Sequence, residues 1–254
     1  MLIPRVIPCL LKKELALVKT IKFTNPNYIG DPINTIRIFN DLEVDELIFL
    51  DITATKENKK PPFEVISQVA SECFMPMTYG GGIKEIDDMR RIFSLGVEKI
   101  VICTYAVDEP LFIKRVAESF GSQSIVVSID VKKDSRGKYE VYVEGGTRST
   151  KLDPVEFAVM MEQMGAGEIF LNSIDKDGAM EGYDLELIQR VASAVNVPLI
   201  ACGGAGRIED LGEAIKAGAS AVAAGSLFVY QGKNRSVLIN FPSHSELQEM
   251  FLGK

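Results

Sequence analysis

Short runs of apolar, β-branched residues alternate along the chain with amphipathic stretches of helical period. The alternation occurs eight times and predicts eight strands, each followed by a helix. Eight such units in 254 residues indicate a closed (β/α)8 barrel, the TIM barrel, with residues 1–254 as one domain. The predicted strands are Arg5–Leu10, Glu46–Asp51, Met75–Tyr79, Lys99–Cys103, Ile125–Asp130, Glu168–Asn172, Leu199–Cys202 and Ser220–Ala224.

Residues that favour helix ends lie between the predicted strands. Asp31-Pro32 and Asp153-Pro154 are typical of an N-cap followed by a first helical turn, and Pro62 indicates the start of the second helix. Three of the strands follow closely after a glycine that can end a helix in left-handed backbone. These glycines are Gly96, Gly165 and Gly218.

The chain also repeats itself at an offset of 122 residues, seen between the segments that begin at Pro76 and Pro198. At this offset Gly81 matches Gly203, and Gly82 matches Gly204. The repeat is ungapped over half the chain, so we expect the barrel to consist of two stacked half-barrels.

Two segments interrupt the regular spacing. Leu11–Gly30 reads as a long loop after the first strand, and Val131–Gly146 reads as a short hairpin that turns at Ser135–Gly137. Long connections at this end of a barrel often serve as lids or substrate contacts. The alternative, that both are plain surface excursions, stays open.

The composition is that of a globular protein, with 46% hydrophobic and 25% charged residues and a net charge of −7. No basic stripe could neutralise phosphates, so a nucleic-acid partner is not expected. We find neither a signal peptide nor an apolar stretch approaching the roughly 20 residues of a membrane span. The sequence therefore predicts a cytoplasmic protein without a membrane partner.

Four cysteines occur, none in a C-x-x-C pair: Cys9, Cys73, Cys103 and Cys202. A nucleophilic cysteine normally needs a basic neighbour, and the sole histidine, His244, lies in the C-terminal tail. Buried, unreactive thiols are therefore favoured over a cysteine nucleophile. With one histidine, a metal site is not expected, and no cofactor is predicted.

Glycine-rich loops follow two of the predicted strands at equivalent positions of the repeat. Backbone amides in such loops can approach an anion closely, and loops after strands seven and eight form the usual phosphate site of these barrels. Each loop is paired with a hydroxyl residue that follows the next strand. The residues predicted to bind phosphate are Gly81, Gly82 and Thr104 in the first cradle, and Gly203, Gly204, Gly225 and Ser226 in the second. Two such cradles suit an elongated bisphosphate, although the glycines could serve only tight turns.

Carboxylates at the strand ends are candidates for acid–base catalysis. Asp51, Asp130, Asp175 and Asp177 lie at or just beyond strand ends, and Asp130 is expected to point into the site. Alignment of the half-barrels places Leu11 opposite Asp130. Leucine cannot transfer a proton, so any pair of catalytic carboxylates is incomplete on that side.

Four charged residues are expected at the other end of the barrel. Arg5, Glu46, Lys99 and Glu168 lie at the starts of strands and balance to zero charge, and the strand-eight member of this layer is the small Ala221. Buried charges persist only when paired. The ring could therefore leave a narrow axial passage or could be a structural plug of salt bridges.

Nearly end to end, the chain resembles the cyclase subunit of imidazole glycerol phosphate synthase, a glutamine amidotransferase of histidine biosynthesis. The resemblance rests on GDP at Gly30–Pro32, DELIFLDITA at Asp45–Ala54, YGGGI at Tyr79–Ile83, FGSQ at the start of Phe120–Val127, GEI-x-L-x-SID-x-DG at Gly167–Gly178 and ACGGAG at Ala201–Gly206.

The resemblance implies a glutaminase partner that releases ammonia at the barrel floor. The ammonia would pass a gate formed by the four charged residues and meet a phosphorylated substrate at the mouth. Lys19 matches a substrate-loop lysine of the family, and Asp130 matches one of its two catalytic aspartates. The second aspartate falls at Leu11, and Cys103 and Asn172 replace the family's asparagine and threonine.

These replacements resemble a paralogous branch that is associated with sugar amidation in bacterial surface-polysaccharide (O-antigen) loci. In that branch, ammonia would be supplied to a separate sugar amidotransferase. Two other functions stay open: an active cyclase of histidine biosynthesis, and a phosphosugar-amine isomerase of the same barrel superfamily.

Overall fold

The computed structural model describes residues 3–232 and 234–252 of the chain. Eight parallel strands pair in chain order and the last pairs with the first, so the sheet closes into a barrel. The predicted (β/α)8 fold is confirmed. The barrel strands are β1 (Arg5–Lys13), β2 (Leu47–Asp51), β3 (Met77–Gly80), β4 (Lys99–Ile102), β5 (Ile125–Lys133), β6 (Glu168–Ser173), β7 (Leu199–Cys202) and β8 (Ala221–Ala224).

Helices connect the strands on the outside of the barrel, with a 3₁₀ turn at Ser122–Ser124. Among the described residues, no helix is long and apolar enough to cross a membrane. The helices are α1 (Pro32–Asp41), α2 (Phe63–Glu72), α3 (Ile86–Ser94), α4 (Thr104–Asp108), α5 (Pro110–Phe120), α6 (Pro154–Gln163), α7 (Leu185–Ala192), α8 (Ile208–Lys216), α9 (Ser226–Val229) and α10 (His244–Leu252).

The predicted helix ends are confirmed. The carboxylate of Asp31 accepts the backbone N–H of Asn34 at 2.9 Å, and the carboxylate of Asp153 accepts that of Val155 at 2.9 Å. These bonds satisfy amides that have no partner within the helix. The three helix-ending glycines all have left-handed backbone: φ is 99° at Gly96, 100° at Gly165 and 111° at Gly218.

Alternating side chains of the strands supply two separate apolar cores. One set points outward from the barrel, as Phe49 of β2 does. It packs against apolar side chains of the helices, such as Phe39 and Phe157. The other set fills the barrel interior and includes Ile7 and Phe170. Both faces of the sheet are therefore buried, which explains the continuous apolar runs that identified the strands.

The segment after β1 is regular, and the prediction of a loop at Leu11–Gly30 is wrong. β1 continues to Lys13 and forms an antiparallel excursion with strands Ala16–Ile21 and Thr24–Gly30. The segment is ordered by this sheet pairing and by burial of its own apolar side chains, such as Leu17 and Ile29.

The predicted hairpin at Val131–Gly146 is confirmed. β5 continues to Lys133 and pairs with the antiparallel strand Tyr139–Val143, which pairs in turn with Arg148–Ser149. The carboxylate of Asp134 holds the turn by accepting the backbone N–H groups of Arg136 and Lys138. A further short hairpin joins Tyr230–Gln231 to Ser236–Val237.

A buried aspartate fixes the glycine-rich turn before α8. The carboxylate of Asp210 accepts the backbone N–H of Gly206 at 2.8 Å and that of Arg207 at 3.0 Å. Its counterpart in the other half-barrel, Asp88, is also buried, but among the described residues its side chain has only a long ion pair with Lys60, at 3.8 Å. The two halves therefore stabilise equivalent turns differently.

We expect Asp210→Ala to lower the free energy of unfolding by about 1–2 kcal/mol, because two amides at the helix start lose a charged acceptor. Asp88→Ala is the matched control and should cost clearly less, since it breaks only a long ion pair. Urea denaturation of both variants measures the difference. Equal losses would show that burial of the carboxylate, rather than its bonds to the turn, determines the effect.

Candidate functional site

A cavity of about 250 Å³ opens at the carboxyl ends of the barrel strands. It brings together the mouth residues that the sequence singled out except Asp175, whose carboxylate accepts the backbone N–H of Lys133 at 2.8 Å. These residues are Lys19, Asp51, Gly81, Gly82, Cys103, Thr104, Asp130, Asn172, Asp177, Gly203, Gly204, Gly225 and Ser226. The carboxyl ends of parallel strands converge here, which is where barrels of this fold build their sites.

The two glycine-rich loops have the same geometry. The backbone is left-handed at Gly81 and Gly203, with φ of 130° and 89°. A β-carbon at Gly81 would lie 2.7 Å from the carbonyl oxygen of Asp51, and one at Gly203 would lie 2.6 Å from that of Ser173. Asp51 and Ser173 are themselves 122 residues apart, so the repeat is reproduced in the packing of the two loops.

The two hydroxyl residues predicted to complete the cradles begin short helices beside these loops. Thr104 opens α4, and its hydroxyl accepts the backbone N–H of Glu144 at 3.1 Å. Ser226 opens α9 and is buried.

Lys19 brings a positive charge to the second loop pair. Its side chain is 4% exposed, although it belongs to the hairpin that follows β1. A β-carbon at Gly225 would overlap the Nζ atom of Lys19, so only glycine leaves room for the ammonium. The arrangement places a cation next to backbone amides, which suits a bound anion.

Asp130 is a buried carboxylate at the mouth whose pKa is strongly raised. Burial raises the pKa of Asp130 to about 7, although hydrogen bonds from Cys103 and Ser128 oppose the shift. The thiol of Cys103 lies 3.5 Å from one carboxylate oxygen, and the hydroxyl of Ser128 lies 3.3 Å from the other. A carboxyl group with this pKa can gain or lose a proton near neutral pH.

The carboxylate of Asp51 is hydrogen-bonded to neighbouring residues of the barrel. It accepts hydrogen bonds from Lys12 at 2.7 Å and from the backbone and hydroxyl of Thr53. Burial favours the neutral carboxyl, but these bonds outweigh it and lower the pKa of Asp51. Asp51 is therefore a fixed anion that holds β1 to the loop after β2.

Asp177 ties the mouth of the barrel to the excursion after β1. Its carboxylate accepts the hydroxyl of Thr20 at 2.8 Å and the backbone N–H of Phe23 at 3.4 Å, and its carbonyl accepts the N–H of Lys22. These bonds hold Lys19 in place over the cavity.

Across the cavity from Asp130, the position that would carry a second carboxylate is occupied by Leu11. Leu11 lines the cavity, is 8% exposed and pairs in register with Leu50 of β2. Its neighbour Lys12 points to the opposite face of the strand and reaches Asp51. Asp130 therefore has no matching acid across the mouth at that position.

Two of the three mouth cysteines, Cys103 and Cys202, have the environment of unreactive thiols. Cys9, Cys103 and Cys202 all line the cavity. Burial, reinforced by the Asp130 carboxylate, raises the pKa of the Cys103 thiol well above its ordinary value. The hydrogen bond that the Cys202 thiol donates to Cys9, together with burial, raises the pKa of Cys202, and the same bond lowers the pKa of Cys9. His244 lies at the opposite end of the barrel, so it cannot activate any of them.

No group of three or more histidine, cysteine, aspartate and glutamate side chains among residues 3–232 and 234–252 is arranged to hold a metal ion.

The four charged residues meet at the amino ends of the strands, which form the barrel floor. Arg5 contacts Glu46 at 2.5 Å and Glu168 at 2.8 Å, and Lys99 contacts the same two carboxylates at 3.1 and 3.2 Å. Burial of Arg5 opposes its charge, but the attraction of both carboxylates outweighs this and raises its pKa. The result is a closed ring of alternating charge.

The ring opens outward to a cavity of about 380 Å³ and faces apolar side chains inward. The outer cavity is lined in addition by Asp45, Glu98 and His244. Above the ring, Ile7, Ile48, Val101, Val126, Phe170 and Ile200 fill the barrel interior. Ala221 pairs in register with Arg5, so one position beside the ring carries only a methyl group.

The sequence analysis did not identify several residues of the site. Ser128 lies two residues before Asp130 on the same face of β5, and the two-residue period of a strand could have identified it. Lys12 and Lys56 gave no such signal. The side chain of Lys56 crosses the mouth, and a β-carbon at Gly145 would lie 2.8 Å from its Nζ atom.

Comparison with known proteins is consistent with this geometry. The family model described as histidine biosynthesis protein matches residues 5–235. A protein of Pseudomonas aeruginosa with the provisional name imidazole glycerol phosphate synthase subunit hisF2 is 56% identical over 244 residues, which are 96% of this chain and 97% of that protein.

Two further relatives carry the name imidazole glycerol phosphate synthase subunit HisF. The protein of Alkaliphilus metalliredigens is 44% identical over 91% of this chain and 92% of its own length. The protein of Dictyoglomus turgidum is 45% identical over 90% of each. The chain therefore belongs to the histidine biosynthesis protein family, and within it to the HisF-like cyclase subunits of imidazole glycerol phosphate synthase.

Proposed function

We propose that this cyclase-type subunit receives ammonia at the barrel floor from a docked glutaminase and passes it along the barrel axis. At the mouth the ammonia serves the amidation of a surface-polysaccharide sugar, with a separate sugar amidotransferase as a further partner. Arg5, Glu46, Lys99 and Glu168 are the gate. The observation that carries the proposal is the ring of alternating charge below an apolar barrel interior.

The physical chemistry of the axis favours ammonia over charged nitrogen compounds. An ammonium ion would lose its hydration in the apolar interior, where a buried unpaired charge is very costly. Neutral ammonia is small and carries no such cost. The ion pairs of the ring balance one another, so the ring can remain at the entrance without an uncompensated charge.

The mouth supports binding of a phosphorylated ligand more strongly than cyclisation. The paired glycine loops, Thr104, Ser226 and Lys19 suit two phosphate groups. Asp130 is placed to transfer protons, but Leu11 leaves it without a second acid. A conduit that retains its gate and has lost one catalytic carboxylate would have this combination of residues.

A second function is cyclisation in histidine biosynthesis itself. The names of the relatives in Alkaliphilus metalliredigens and Dictyoglomus turgidum favour it, as does the pKa of Asp130 near 7. Rescue of a histidine auxotroph by the gene would support this function. Failure of rescue by a well-expressed protein would support the conduit.

We expect the wild-type protein to turn over the family's cyclase substrate with free ammonia about 10²- to 10⁴-fold more slowly than an intact cyclase, because one proton-transfer group is missing. Leu11→Asp should recover part of this loss, and Leu11→Asn is the control that matches its size without an acid. Because Asp130 must be ionised to act as a base, activity should fall as pH drops below about 7. Near-normal wild-type turnover would contradict the proposal.

We expect crystals soaked in phosphate to show an anion in each cradle. Gly204→Ala should empty the second cradle alone, because the added β-carbon would collide with the backbone of Gly182. The first cradle, at Gly81 and Gly82, is the internal control within the same crystal. Anions bound only elsewhere would exclude the cradles as phosphate sites.

We expect Lys99→Ala to separate glutamine hydrolysis from amidation in the reconstituted complex, since Glu46 and Glu168 lose a shared cation. Amidation driven by added ammonium salt should stay close to the wild-type level. Glu98→Ala is the matched control, because Glu98 lines the same outer cavity and is exposed. If Lys99→Ala and Glu168→Ala both keep full coupling, the ring is only a structural plug.

A further inference from the structure

The rim of the barrel mouth carries exposed lysines that lie outside the cavity. Lys22 belongs to the excursion after β1, and Lys132 and Lys133 belong to the hairpin after β5. None of the three lines the mouth cavity. Among the described residues, none of them forms an ion pair with a carboxylate. A small ligand held in the cavity therefore does not account for these charges.

Hydrogen bonds hold the two lysine-bearing segments next to each other. The backbone N–H of Lys22 donates to the carbonyl of Asp177 at 2.9 Å, and the backbone N–H of Lys133 donates to the carboxylate of Asp175 at 2.8 Å. Asp175 and Asp177 lie in one turn after β6. The excursion and the hairpin are thus attached to the same turn, and their lysines form one basic surface.

The neighbouring side chains orient these lysines without neutralising them. The ammonium groups of Lys132 and Lys133 lie over the rings of Tyr142 and Tyr139, at 5.8 and 4.6 Å from the ring centres. The nearby carboxylate of Asp134 is occupied by the turn of the hairpin. A basic surface on a chain of net charge −7 attracts an acidic partner to this side of the molecule.

An uncovered strand continues the surface beyond Lys22. The first five residues of the strand Thr24–Gly30 are exposed on both faces of the strand, and none of them is charged. Among the described residues, this strand pairs only with Ala16–Ile21, so its outer edge is free. Tyr28 is 68% exposed. An exposed tyrosine beside charged groups is typical of protein interfaces, where aromatic side chains supply much of the binding energy.

The proposed passage for ammonia ends at this rim. Neutral ammonia that leaves the barrel into water near neutral pH takes up a proton, and the ammonium ion is no longer a nucleophile. Efficient transfer therefore requires that the enzyme using the ammonia covers the exit and excludes water from it.

We propose that Lys22, Tyr28, Lys132 and Lys133, here called the mouth ridge, form the docking surface for the enzyme that consumes the ammonia. That enzyme presents a carboxylate-rich face to the ridge. Tyr28 is the anchor of the contact, and the lysines set its orientation and its rate of formation. The inference rests on the proposed function in that it takes ammonia to leave the barrel at the mouth.

Charge reversal tests the lysines of the ridge. We expect Lys22→Glu/Lys132→Glu to weaken binding of the purified sugar amidotransferase about tenfold at low salt, and wild-type affinity to fall as salt rises. Lys114→Glu/Lys216→Glu is the matched control, because it changes the net charge equally at exposed positions of α5 and α8. It should bind as the wild type does. Interferometry on the full chain, with its glutaminase bound, measures the dissociation constants.

A second variant tests the anchor independently of charge. We expect Tyr28→Ala to weaken binding about tenfold at low and high salt alike, because the ring is neutral. Leu15→Ala is the control, since Leu15 is an exposed apolar residue at the other turn of the same excursion. With both ridge variants, glutamine-driven amidation should fall, whereas amidation from added ammonium salt and binding of the glutaminase should stay at wild-type levels.

The outcomes separate this proposal from the conduit. Wild-type binding by both Lys22→Glu/Lys132→Glu and Tyr28→Ala overturns the ridge and leaves the conduit intact, since docking then lies elsewhere. Binding that depends on the ridge, without glutamine-driven amidation, supports the ridge and overturns the conduit. A wild-type chain that does not bind the amidotransferase overturns both. Binding to phosphatidylglycerol vesicles in place of the amidotransferase, lost on charge reversal, would assign the ridge to a membrane surface and overturn the proposal.

Discussion

Closure of the barrel is the constraint on which the rest of the structure depends. The pairing of β8 with β1 leaves every strand with two neighbours, so alternate side chains must point into one enclosed interior. The carboxyl ends of all eight strands then meet at the mouth, and the amino ends meet at the floor. Residues far apart in the chain, such as Arg5 and Glu168, become neighbours for this reason.

The enclosed interior separates two polar ends by an apolar layer. At the floor, charges are paired in a ring, because ions beside an apolar interior need partners. At the mouth, positive charge from Lys19 stands near backbone amides, while Asp130 is buried among weak donors. The charges at the floor are therefore paired with one another, whereas Asp130 at the mouth can still gain or lose a proton.

Three aspartates at the mouth illustrate how surroundings decide chemistry. Asp51 is held ionised by Lys12, and Asp177 is bound to the excursion after β1. Asp130 accepts hydrogen bonds from the thiol of Cys103 and the hydroxyl of Ser128, and burial raises its pKa to about 7. Identical side chains therefore serve as an ionised structural group at Asp51, a structural hydrogen-bond acceptor at Asp177 and a candidate proton carrier at Asp130. Asn172 pairs in register with Asp130, and its Oδ1 atom is buried without a hydrogen-bond partner among the described residues.

The sequence by itself determined the fold class, the strands and the grouping of residues at the two ends of the barrel, because the strand period and the constant repeat offset can be read directly from the order of residues along the chain. It also determined that Leu11 faces the cavity. It could not reveal that Lys12 neutralises Asp51, that Leu11–Gly30 forms sheet, or that Asn172 lacks a donor. Hydrogen bonds and burial depend on which side chains meet across strands distant in the chain, and only the tertiary structure decided those contacts.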